Sequence, residues 1–113
     1  MNNEKNGLKR FYNRKEKKYG FKDQEGKEVI PCQYEDAANF QEGLARVMRN
    51  GKWGYIDENG KEVVPCKYYT VSDFKKGWAW VSNGFCLYWL DSTFQEIKDA
   101  DYDRMKQGVP DWS

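Results

Sequence analysis

Shifted by 34 residues, this chain matches itself. Between residues 17–50 and 51–84, 14 of the 34 aligned positions are identical. "GKEVIPC" (Gly26 to Cys32) falls on "GKEVVPC" (Gly60 to Cys66), Gly20 on Gly54, Asp23 on Asp57, and Tyr34 on Tyr68. Phe40 falls on Phe74, Gly43 on Gly77, and Ala45 and Val47 on Ala79 and Val81. A period of this length means one supersecondary unit written repeatedly, with each copy needing its neighbour to bury an apolar face. The 113 residues make one domain by length. It is divided into a leading half-copy (7–16), copy one (17–50), copy two (51–83) and a degenerate copy three (84–113).

Each copy reads as strands. In "LARVMRN", Ala45 and Val47 alternate with Arg46 and Met48, the period of a half-buried strand. Asn50-Gly51 suits the positive φ angles of a tight hairpin turn. "KWGYIDE" follows as partner strand, and Gly54 leaves room there for a backbone or ring to approach. Asn59-Gly60 makes a second turn, "KEVV" is a third strand, and Pro65, which lacks a ladder donor, is expected to end it. The connector Cys32 to Gly43 is expected to pin a loop or single helical turn onto the sheet through Tyr34 and Phe40. Asp23, Asp57 and Asp91 share one repeat position beside a turn, where an Asp side chain bonds turn amides. In copy three Phe94 stands where Gly60 stood, and Leu87 and Tyr88 replace the Trp-Gly pair.

The expected fold is therefore all-β: stacked three-stranded meanders forming a twisted, partly closed sheet or a short β-solenoid. Leu, Ile, Val and Phe make up under a fifth of the chain while aromatics reach 17%. Tyr, Trp and Phe are thus expected to build the core. "GLARVMRNGKWGYIDENGKEVVPCKY" resembles the WG repeat, also called the KWG repeat, of bacterial proteins. The resemblance covers nearly the whole chain, departing at Tyr19, which replaces the Trp of copy one, and through copy three. It implies a binding module, and since small free-standing members accompany toxins, it implies an immunity protein as one role.

The residues argue for contact over catalysis. There is no histidine, which removes the commonest general base, the Ser-His and Cys-His pairings and the commonest metal ligand. No phosphate loop or dinucleotide fingerprint occurs. Cys32, Cys66 and Cys86 are an odd number without CxxC spacing, which reads as small buried hydrophobes in a reducing compartment rather than as disulfides or a metal site. Nineteen basic against 18 acidic residues give no field to gather nucleic acid. "NRKEKK" (Asn13 to Lys18) reads as a solvated hairpin end. No apolar run suggests a signal peptide or membrane span, so a cytoplasmic location is expected, with no cofactor and no catalytic or metal residue.

Where the copies differ, function has room. Leu44 becomes Trp78 and Arg46 becomes Trp80, on the strand face opposite Ala79 and Val81. Glu35 and Asp36 become Tyr69 and Thr70; Tyr88 and Trp89 stand where Gly54 and Tyr55 stood. These aromatics either cover the far face locally or form an exposed patch for a partner. The acids Glu35, Asp36, Asp99, Asp101 and Asp103 offer a second surface, suited to a basic partner such as a toxin nuclease. The candidate partner-binding residues are Trp78, Trp80, Tyr69, Trp89, Tyr88, Glu35 and Asp36. The partner is expected to be another protein, with the chain a monomer or homodimer. The alternative is a carbohydrate-binding module that stacks sugars on Trp78, Trp80 and Trp89.

Overall fold

The computed structural model describes residues 7–97. It contains eleven strands: β1 (Lys9–Asn13), β2 (Lys18–Lys22), β3 (Glu28–Tyr34), β4 (Asp36–Ala37), β5 (Ala45–Arg49), β6 (Lys52–Ile56), β7 (Glu62–Tyr68), β8 (Thr70–Val71), β9 (Ala79–Ser82), β10 (Leu87–Leu90) and β11 (Glu96–Ile97). They form three antiparallel sheets, β1-β2-β3, β4-β5-β6-β7 and β8-β9-β10-β11. No described residue is helical and no sheet closes into a barrel. The all-β reading of stacked meanders holds, with the meanders kept as three separate sheets. The connector expected as a loop or helical turn instead contributes a two-residue strand, β4 or β8, to the next sheet's edge.

Strand alternation decides how the sheets stack. Ala45, Val47 and Ile56 face one way from the middle sheet and join Leu8, Phe21, Ile30, Tyr34, Ala37 and Phe40 in a first core. Tyr55, Val64 and Tyr68 join Val71, Phe74, Ala79, Val81 and Leu90 in a second. Ala45, Val47, Ala79 and Val81, expected to face inward, are fully buried. A sheet that alternates this way has two apolar faces, and the middle sheet uses both. In each core a connector Phe meets a strand aromatic edge-on: Phe40 on Phe21 at 4.9 Å between centroids, Phe74 on Tyr55 at 5.0 Å. Such pairs stabilise by about 0.5–1.5 kcal/mol beyond the area they bury.

Pro31 and Pro65 do not end their strands, contrary to the sequence expectation; β3 and β7 run through them to Tyr34 and Tyr68. The physical reason is a bulge. Tyr19 pairs with Tyr34 and Phe21 with Ile30, so one residue of β2, Gly20, faces the three between Ile30 and Tyr34. Trp53↔Tyr68 and Tyr55↔Val64 repeat the arrangement around Gly54. The bulged Pro needs no ladder donor. The swollen backbone presses onto the glycine: a Cβ on Gly54 would lie 2.4 Å from the Val64 carbonyl oxygen, and one on Gly20 2.5 Å from that of Ile30. Gly in this pair is thus required by neighbouring backbone.

The turn acids behave as their position suggests. Asp23 Oδ1 accepts the amides of Glu25 and Lys27, both at 2.9 Å, and Asp57 Oδ1 those of Asn59 and Lys61 at 2.9 and 3.0 Å. Asp91 does the same with Thr93 and Gln95 at 2.9 and 3.3 Å. Copy three keeps this turn without its glycine. Phe94 adopts φ 66°, close to Gly26 at 85° and Gly60 at 86°, and its ring meets Phe74 edge-on at 6.0 Å.

Candidate functional site

Both internal junctions use an Arg over an aromatic ring and a connector Phe edge-on to a strand aromatic, and the second adds polar ties. Face the second core from the middle sheet: Leu44 is followed by Arg46, whose cross-strand partner is Tyr55, with Trp53 two residues before Tyr55. Arg46 Nε donates to Asp73 Oδ1 of the next unit at 2.7 Å, and its guanidinium lies 5.3 Å from the centre of the Trp53 ring. Tyr55 Oη donates to the Ser72 carbonyl at 2.7 Å. Glu42 accepts the amides of Lys76 and Gly77 at 2.5 and 2.9 Å, tying one connector turn to the next. The first sheet runs parallel to this: Arg10 donates to the Ala37 carbonyl at 2.6 Å and lies over Tyr19.

The third sheet presents the same face outward with other residues. Trp80 is the cross-strand partner of Trp89, and Ser82 of Leu87. Alternation puts Trp78, Trp80, Leu87 and Trp89 on one side, opposite buried Ala79, Val81 and Leu90. They occupy the repeat positions of Leu44, Arg46, Trp53 and Tyr55. Trp78 and Trp89 meet edge-on, centroids 6.3 Å apart and planes at 83°. All three Trp are half-buried.

The remaining sequence candidates separate. Tyr88 pairs with Val81 and packs against the second core, so it lies on the other side of the sheet. Tyr69 is 66% exposed and its ring stands against the Gly84 turn. Glu35, which Tyr69 replaces, is a turn cap: its carboxylate accepts the Asn50 and Gly51 amides at 2.8 and 3.0 Å. Asp36 Oδ1 accepts the Ala37 amide at 2.8 Å and the side chain is half-buried. These two acids serve the fold, while Asp99, Asp101 and Asp103 lie outside the described residues. The sequence reading missed Phe85, 95% exposed, and Leu87, 56% exposed. Their signal was present: the hairpin tips "NRKEK" and "RNGK" are polar, whereas copy three has "NGFCL". That tip is closed by Asn83, whose Oδ1 accepts the Phe85 and Cys86 amides.

Burial pushes the Tyr55 hydroxyl far above the ordinary tyrosine range, and burial followed by the Glu96 carboxylate does the same to Tyr68, whose hydroxyl lies 2.5 Å from Glu96 Oε2. Burial also raises the Cys32 and Cys66 thiols, which disfavours the reactive thiolate. All three cysteines are free thiols, Cys86 exposed at the tip. Among the described residues no group of three His, Cys, Asp or Glu is placed to hold a metal, and no helix is long and apolar enough to cross a membrane.

A family model described as "WG containing repeat" matches residues 19–53 and again 53–84. No curated protein and no solved structure matches the chain.

Proposed function

The chain belongs to the WG-repeat family, and on that premise we propose that it is a non-enzymatic protein-binding module whose interface is the outer face of the third sheet. One observation carries this reading. Trp78, Leu87 and Trp89 occupy the positions that, in the two preceding sheets, pack into the next core, and Trp80 the position whose Arg bonds across to the next unit. Phe85 extends the apolar surface to the hairpin tip. Trp anchors in a preformed rigid face are the residues that dominate binding energy at protein interfaces. A bacterial toxin domain is the partner this reading favours, with the chain acting as its immunity protein by covering the toxin's working surface. Free thiols suit a reducing compartment, so the cytoplasm is the proposed location. The carbohydrate alternative is less well supported, because rings at 83° do not offer the coplanar platform that sugars stack on.

The test is capture of the partner from a bacterial host, its identification, and calorimetric titration with purified wild type and Trp80→Ala. Truncating an anchor is expected to weaken binding by about 1 kcal/mol or more, roughly fivefold. Lys15→Ala, at the remote first hairpin, should leave affinity unchanged. Equal affinity for wild type and Trp80→Ala, in a variant shown to be folded, would overturn the reading.

A further inference from the structure

The third sheet lacks the groups by which the middle sheet holds it. Four devices tie the middle sheet to the third: the Arg46–Asp73 ion pair, the Tyr55 hydroxyl on the Ser72 carbonyl, the Glu42 carboxylate on the Lys76 and Gly77 amides, and the edge-on insertion of Phe74 against Tyr55. One repeat later the first three positions hold Trp80, Trp89 and Lys76. Trp80 carries no charge to pair with an acid, Trp89 has no hydroxyl, and Lys76 has no acceptor for turn amides. The fourth device is taken over from within. Trp78, in place of Leu44, sets its ring edge-on against Trp89 at 6.3 Å, the role Phe40 and Phe74 play for Phe21 and Tyr55.

The other end of the stack is closed differently. The cross-strand pairs Ala45↔Ile56 and Ala79↔Leu90, which face the preceding sheet, have Lys9↔Lys22 as their counterpart in the first sheet. Lys9 and Lys22 put charge on the starting sheet's outer face beside Phe11, with Lys22 Nζ 4.3 Å from the centre of its ring, and charge on a terminal face is what the end of a repeat stack needs. A second copy added head to tail would set this lysine face on the Trp face, without any of the polar ties of the internal junctions.

Resting on the reading that the Trp face is the interface, we propose that its occupant is a polypeptide surface with an apolar centre and a carboxylate at its edge, and is not a second copy of this chain. The apolar centre answers Trp78, Trp80, Leu87 and Trp89. The carboxylate answers Lys76, exposed at the connector turn directly before Trp78, where the preceding unit carries Glu42 instead. The charge at this rim is thus reversed between the junction of the middle sheet and the outer face of the third. The preferred partner charge is negative, opposite to the basic partner that Glu35 and Asp36 would suit, and those two carboxylates are engaged in capping the Asn50-Gly51 turn and in bonding the Ala37 amide.

Two short blocked peptides of alternating Leu test this, one with Glu and one with Lys at the intervening positions, titrated against the full chain by indole N–H chemical shifts. The Glu peptide is expected to shift the Trp78, Trp80 and Trp89 signals saturably, and Lys76→Glu to weaken it by about fivefold or more, with a loss of affinity at high salt. Lys76→Glu should fold, since Glu42 holds the same φ of 55° at the equivalent position. Equal binding of the Lys peptide, indifference to Lys76→Glu, or concentration-dependent self-assembly in sedimentation would overturn the proposal. If the captured partner depends on Trp80 but not on Lys76, this inference falls and the binding reading stands. Indifference of that partner to Trp80 removes the binding reading itself.

Discussion

Replacing Gly54 by Ala should be among the most damaging small changes this chain can take. The added methyl would sit 2.4 Å from the Val64 carbonyl oxygen and 2.7 Å from both the carbonyl carbon and oxygen of Pro65. Ordinary carbon contacts begin about 1 Å further out. All three atoms are backbone, so no side chain can rotate away, and the bulge must open at the expense of the β6–β7 ladder. Overpacking of this kind costs about 1–3 kcal/mol; restricting the unfolded chain returns about 0.4–1 kcal/mol. The paired geometry places Gly54→Ala toward the upper end, a net loss of about 2 kcal/mol. For a domain of this size that is a fall in melting temperature of roughly 8–12 °C. Gly51→Ala is the internal control. Its φ is 77° and nothing lies within 4 Å of the added methyl, so only backbone strain of about 1 kcal/mol applies. Urea unfolding of the two variants beside wild type gives the comparison. A Gly54→Ala loss smaller than that of Gly51→Ala would refute the argument that backbone contact, and not turn conformation, fixes this glycine.

Phe94→Gly removes a left-handed phenylalanine but also its ring from Phe74, and the packing loss should prevail, leaving the variant about 1 kcal/mol less stable in urea titration. Asp57→Ala deletes the acceptor for two turn amides and should cost about 1–2 kcal/mol by the same assay, with Asp23→Ala similar. The buried Tyr55 hydroxyl stays protonated in the fold while the unfolded chain ionises near pH 10. The stability held below that pH is therefore lost as the pH rises above it, by at most about 1.4 kcal/mol per pH unit. Tyr55→Phe should be less stable at neutral pH, having lost its bond to Ser72, yet show a shallower alkaline decline in thermal melts.

Much of the architecture could be read from the repeat because its identities are stereochemical demands. Asp57, Gly60 and Gly54 each meet a condition set within their own unit, and Ala45 and Val47 show their face by alternation. Pro65 misled because proline is excluded from a ladder only where its partner needs a donor, and the bulge removes that need. The period gives a unit's length but not where a sheet begins: β4 and β5 come from copy one and pair into a sheet with β6 and β7 of copy two. At the candidate site, Trp78, Trp80 and Trp89 were legible as departures at template positions. Glu35 was not, because its role as a cap on Asn50 and Gly51 spans 15 residues and both ends must fold before it exists. Phe85 is marked only by contrast with the polar tips of the other hairpins, and its exposure appears once the hairpin is folded.

The middle sheet lends one face to each core, so among the described residues the two outer sheets share no core and each packs on the middle one. Damage at either end can be confined to one junction, leaving the remaining pair of sheets intact. Damage at the centre deprives both ends at once. Amide exchange should therefore be slowest in β5 and β6, and a lineage altering this protein for new partners has its freedom at the ends, where the interface proposed here lies.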